Sequence, residues 1–141
     1  MARGFSIVEI MVVLGIFAAI VSTGLALSID QIARGTIFSE RDTLVSLLNG
    51  ARAASLANVN AQPHGVHIDA TQFVAFEGSA YSSSDPKNYP IARTSSVSMS
   101  GPTDIVFAQL SGEVSSGGTL ILADGGSQAI IEVNDAGRID W

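Results

Sequence analysis

The feature that most restricts the fold is a run without charge. From Ile10 to Ile29, twenty consecutive residues include no Asp, Glu, Lys or Arg. Coiled into a helix, twenty residues rise about 30 Å, the thickness of a hydrocarbon core. One carboxylate, Glu9, stands immediately before the run. A charge near an apolar membrane segment costs a few kcal/mol, so a plain anchor has no use for it. The stretch admits three readings. It can span a membrane. It can be a secretory signal, with Arg3 as the basic start, Ile10 to Val21 as the apolar core and Gly24-Leu25-Ala26 as the cleavage region, a reading that Glu9 fits poorly. Or it can follow a signal cut on the cytoplasmic side, which leaves the apolar helix on the mature protein.

Arg3-Gly4-Phe5-Ser6-Ile7-Val8-Glu9 and the apolar residues after it favour the third reading. They resemble the class III signal of type IV pilins and type II secretion pseudopilins. The resemblance implies that prepilin peptidase cuts between Gly4 and Phe5, that Phe5 becomes the N-methylated first residue, and that Glu9 takes the role of the family's fifth-residue glutamate. A leader of four residues is short for that family. Many major pilins also have a helix-breaking proline some twenty residues into the mature chain, whereas no proline precedes Pro63 here. The chemistry of Glu9 follows from spacing alone. Phe5 and Glu9 are four residues apart and share a helix face, so the carboxylate can meet an α-amino group of its own chain or of a neighbour. In a low dielectric that pairing relieves both charges.

The helical period continues beyond the uncharged run. Ile37, Leu44, Leu47, Leu48, Ala51 and Ala54 recur at spacings of three and four, with Glu40, Arg41, Asp42 and Arg52 expected largely off the stripe. A single helix from about Phe5 to about Asn58, roughly 80 Å long, is predicted, oily all round in its first half and amphipathic in its second. Gly15, Gly24, Gly35 and Gly50 interrupt it, each at a cost of about 1 kcal/mol against Ala.

From His64 the period becomes two. Short β-branched or aromatic runs begin at His64, Gln72, Ser95, Asp104, Thr119, Ala129 and Arg138, and Gly, Asp, Ser and Asn separate them. Tight turns are predicted at Ala123 to Gln128 and Asn134 to Gly137, and an exposed loop at Ser79 to Pro90. The fold expected is α+β: a long N-terminal helix packed on a small antiparallel sheet or sandwich. The divisions are 1–4 as leader, 5–29 as transmembrane and assembly helix, 30–60 as amphipathic helix on the head, and 61–141 as the β-rich head. The stretch from Leu44 to Ile68 and the final stretch from Phe107 to Trp141 are similar to the helix end and the terminal Gly-Arg-Ile strand of the GspH/FimT group of minor pilins and pseudopilins.

Charge limits the partners. After Asn60 there are nine acidic residues and three basic ones, Lys87, Arg93 and Arg138, a balance of 3 − 9 = −6 with histidines neutral. Such a head repels phosphate backbones, so nucleic acid is not expected as a partner, although a DNA-capturing minor pilin is the main alternative within the group and a major pilin another. With no Cys, disulfides and thiolate metal sites are excluded. His64 and His67, three apart on a strand, fall on opposite faces and cannot readily share a metal. Asp124, Asp135 and Asp140 raise the question of calcium, which the major pseudopilin of type II secretion holds near its C-terminal end. Calcium needs six to eight converging oxygens, and Asp124-Gly125-Gly126-Ser127 suits a hairpin turn better. Arg34 and Arg52 are expected to be solvated or paired within a fibre.

No nucleophile elbow, phosphate loop or zinc-helix motif is present. No catalytic residue, cofactor or metal is therefore expected. The function expected from the resemblance is that of a structural subunit of a type IV pilus or type II secretion pseudopilus. It would sit in the bacterial inner membrane as a single-pass protein with its head in the periplasm. Its partners would be other pilins or pseudopilins through the helix, the peptidase, the inner-membrane assembly platform and, before assembly, lipid.

Overall fold

A computed structural model of the chain describes residues 6–141, the side chains of 23–34 excepted. The first element, α1, is a helix over Ile7–Leu56, 50 residues long. By its contacts the chain divides into a unit ending at Ala33 and a second from Arg34 to Trp141. In the second unit a 3-10 turn over Val59–Ala61 follows the helix. Eight strands come next: β1 His64–Ile68, β2 Gln72–Glu77, β3 Tyr89–Ala92, β4 Ser98–Ser100, β5 Asp104–Phe107, β6 Gly118–Asp124, β7 Ser127–Val133 and β8 Ile139–Asp140. They form two four-stranded antiparallel sheets, ordered β3-β2-β1-β5 and β4-β6-β7-β8. The architecture is α+β.

The core lies where α1 meets the inward faces of both sheets. Ile37, Leu44, Val45, Leu48 and Ala51 are buried from the helix, together with Val66, Phe73, Ile105 and Phe107 from one sheet and Leu120, Leu122, Ile131 and Val133 from the other. Each fully buried aliphatic side chain contributes on the order of 2 kcal/mol. The helical stripe read from the sequence is present, with two corrections. Leu47 and Ala54 are only partly buried, whereas Val45 is buried. Glu40, expected off the stripe, is buried at 6% exposure. Spacing explains it, since position 40 lies three after Ile37 and four before Leu44.

The sequence runs locate most of the strands. The tightest turn closes as expected: Asp124 pairs with Ser127 across Gly125 and Gly126, at φ 53° and 98°, conformations that a glycine adopts without strain. The predicted loop over Ser79 to Pro90 ends two residues earlier, at Asn88, because β3 begins at Tyr89 and pairs with β2. Pro90 is tolerated there because β3 is an edge strand. The amide of Arg93 bonds the Thr71 carbonyl, so odd residues of β3 face β2 and Pro90 points its missing donor outward.

No helix among the described residues is long and apolar enough to cross a membrane. The expected segment over 5–29 falls partly outside the description, at Phe5 and at the side chains of 23–29. The described uncharged part runs from Ile10 to Ser22, a rise of about 20 Å against a core of about 30 Å.

Candidate functional site

The start of α1 and its outer end differ in chemistry. Ser6 precedes the helix, and its hydroxyl accepts the Val8 amide at 3.4 Å while its carbonyl accepts the Ile10 amide at 3.2 Å. The carbonyl thus takes the first bond of the helix, and the hydroxyl engages one of the amides that the first turn leaves without a helical partner. Glu9 lies in that first turn, where a carboxylate opposes the positive end of the helix dipole. It is exposed, and among the described residues no side chain bonds it. From Ile7 to Val21 the large apolar side chains are exposed on every side of the helix, Ile7 at 78%, Met11 at 68% and Phe17 at 66% among them. A surface apolar all round is one that other apolar matter covers. Gly4 and Phe5, the expected cleavage pair, lie outside the described residues.

At the other end α1 is joined to the head by hydrogen bonds of its own side chains. Ser55 is fully buried. Its hydroxyl accepts the His64 amide at 2.9 Å and donates to the Phe107 carbonyl at 2.9 Å. His64 and Phe107 are paired residues of β1 and β5. The serine thus sits between the donor and acceptor that would otherwise close the last rung of that ladder. Higher on the stripe, the Glu40 carboxylate takes the Thr94 amide and lies 3.4 Å from Nε of Arg93. Arg93 also donates to the carbonyls of Asp69 and Val97. Its guanidinium borders a cavity of about 370 Å³ beside Val97 and Met99 with its donors already engaged. The sequence analysis gave no role to Ser55 or Glu40. Ser55 lies four residues after Ala51 on the stripe, a visible signal, but its partners lie 9 and 52 residues away.

The histidines fall on opposite faces of β1, as their spacing predicts. His64 is buried with Nε2 3.1 Å from the Val59 carbonyl. His67 is bonded through Nδ1 to Asp104 at 2.8 Å and stacked on Tyr81 at 3.9 Å. Asp124 accepts the Ser96 hydroxyl, Asp140 pairs with Arg138, and the carbonyl of Asp135 accepts the Val114 amide. Among the described residues no three His, Asp or Glu gather as a metal would need. Glu77, held by Lys87 at 2.7 Å and by the Asn60 amide group, has a carboxyl pulled below the usual range, chiefly by the Lys87 bond. Lys87 is raised by the same bond. Together they fasten the segment between β2 and β3.

Set against protein-family profiles, curated proteins and solved structures, the chain matches none.

Proposed function

We propose that the chain is a structural subunit, a minor pilin or minor pseudopilin, of a type IV pilus or a type II secretion pseudopilus. The carrying observation is the helix from Ile7 to Val21, apolar and exposed on every side, with a single carboxylate in its first turn. Such a surface is covered by lipid before assembly and by the same segment of neighbouring subunits afterwards, which suits a chain whose head carries its own core. Glu9 is the group that meets the N-methylated amine of Phe5, from its own chain or the next. Other pilins, prepilin peptidase and the inner-membrane assembly platform are the partners in this reading, and the head performs no chemistry.

The test is the covalent state of the N-terminus. Intact mass and N-terminal sequencing of protein recovered from cells with an active prepilin peptidase should show residues 1–4 removed and one methyl group on Phe5. A mature chain that retains Met1, or one that begins at Leu27, overturns the reading.

A further inference from the structure

Four of the five lysine and arginine side chains described have a carboxylate partner: Arg41, Lys87, Arg93 and Arg138. Arg52 is the fifth. Its Nε is buried without a hydrogen-bond partner among the described residues. It lies beside the turn glycines Gly112 and Gly137: a Cβ on Gly137 would collide with the Gly112 carbonyl and come within 3.3 Å of the Arg52 Nε, and a Cβ on Gly112 would crowd Leu56. Leu56, one helical turn on, touches Gly112 and is 42% exposed. Leu110 is 63% exposed and held at φ 66°, a left-handed conformation that a leucine adopts only when its surroundings impose it. The surroundings here are the Ser55 carbonyl, which accepts the Leu110 amide at 2.9 Å. The patch therefore joins a cation with no carboxylate partner among the described residues to two exposed leucines, one of them under backbone strain. Arginine amid apolar residues is the composition of an interface centre.

The head also carries the complement. Along β7, Ile130 and Glu132 point away from the core, and Ile130 is 53% exposed. Ile121 lies opposite Ile130 across the sheet, and Thr119 opposite Glu132. Residues two apart on a strand stand about 7 Å apart on one face, and helix residues four apart about 6 Å. A carboxylate beside an aliphatic ridge thus matches a guanidinium beside leucines in both charge and spacing. The two patches lie on different elements, one at the end of α1 and the other on the outward face of the second sheet.

We propose that the Arg52, Leu56 and Leu110 patch docks on the Ile130 and Glu132 patch of a second copy of this chain. A contact between two different patches leaves one of each free, so copies add head to tail and do not close as a symmetric pair. The proposal goes beyond the fibre reading and requires only the head, so N-terminal processing tests one and head contact the other.

The chain has no Cys, so introduced thiols report contacts without background. Purified full-length Leu110→Cys and Ile130→Cys variants in detergent, mixed and treated with a short bismaleimide, should yield a cross-linked dimer that neither variant gives alone. Adding Arg52→Glu to the Leu110→Cys chain should lower the yield at least tenfold. Adding Glu132→Arg to its Ile130→Cys partner should then restore it. Circular dichroism melts of all variants identify any that fail to fold, and for an unfolded one the milder Arg52→Gln and Glu132→Gln replace it. No dimer above the single-variant level, a dimer from Leu110→Cys alone, or a yield indifferent to the charge at position 52 overturns the proposal.

Discussion

The hydroxyl of Ser55 donates a 2.9 Å hydrogen bond to the carbonyl of Phe107, 52 residues further along the chain. Because it also accepts the His64 amide, one helix side chain completes a rung of the β1–β5 ladder. Ser55→Ala leaves a buried donor and a buried acceptor unpaired, each at about 1–3 kcal/mol. A loss of about 2–4 kcal/mol in unfolding free energy is expected, with faster hydrogen exchange at the His64 amide. A loss below about 0.5 kcal/mol would show that the strands close the rung without the serine.

Glu40 and Arg93 tie the same helix to the other end of the first sheet with side chains only 8% and 3% exposed. Removing one partner strands a buried charge, at about 3–5 kcal/mol, whereas replacing both with apolar groups of similar volume is often neutral. Glu40→Leu and Arg93→Met are each expected to lower the melting temperature strongly, and the double variant to recover most of the loss. Additive single effects in that cycle would refute the coupling.

The Glu77 and Lys87 pair makes the loop between β2 and β3 sensitive to pH. A carboxyl lowered in the folded state adds stability above its unfolded value, near 4.5, and loses it as pH falls through the folded value. An amine raised in the folded state adds stability below its unfolded value, near 10.5, and loses it as pH rises through the folded value. Limited proteolysis within residues 79–88 should therefore be slowest between about pH 5 and pH 10. It should speed up below that window in the native chain, and Lys87→Met should flatten the acid limb. An acid limb unchanged by Lys87→Met would assign the effect to other groups.

Glu9→Leu removes the one charge at the exposed apolar start of α1. Insertion into membranes should be unchanged or improved, and cleavage after Gly4 should persist. Incorporation into fibres should fall severalfold, because the incoming Phe5 amine is desolvated without a counter-charge. Glu9→Gln should lie between the two. Comparing each variant in membrane and filament fractions is decisive, and wild-type incorporation of Glu9→Leu would leave Glu9 as a hydrated residue only.

Much of the fold is written in local pattern, because a helix face and a strand face are each defined by neighbours a few residues apart. The stripe from Ile37 to Ala51, the period-two runs after His64 and the glycine turn at 125 and 126 are all visible in that way. So are the uncharged run and its single carboxylate. What tertiary structure alone decided is every relation that joins distant segments. Glu40 looked like a solvent-facing charge until Arg93 and the Thr94 amide, 53 and 54 residues away, made its burial tolerable. Pro90 marked a loop until the edge position of β3 removed the need for its amide. Arg52 resembled any surface arginine until folding buried its Nε beside Gly137 with no hydrogen-bond partner among the described residues. Periodicity tells which side of an element turns inward, and only the packed chain determines which polar groups find partners there and which are left without one.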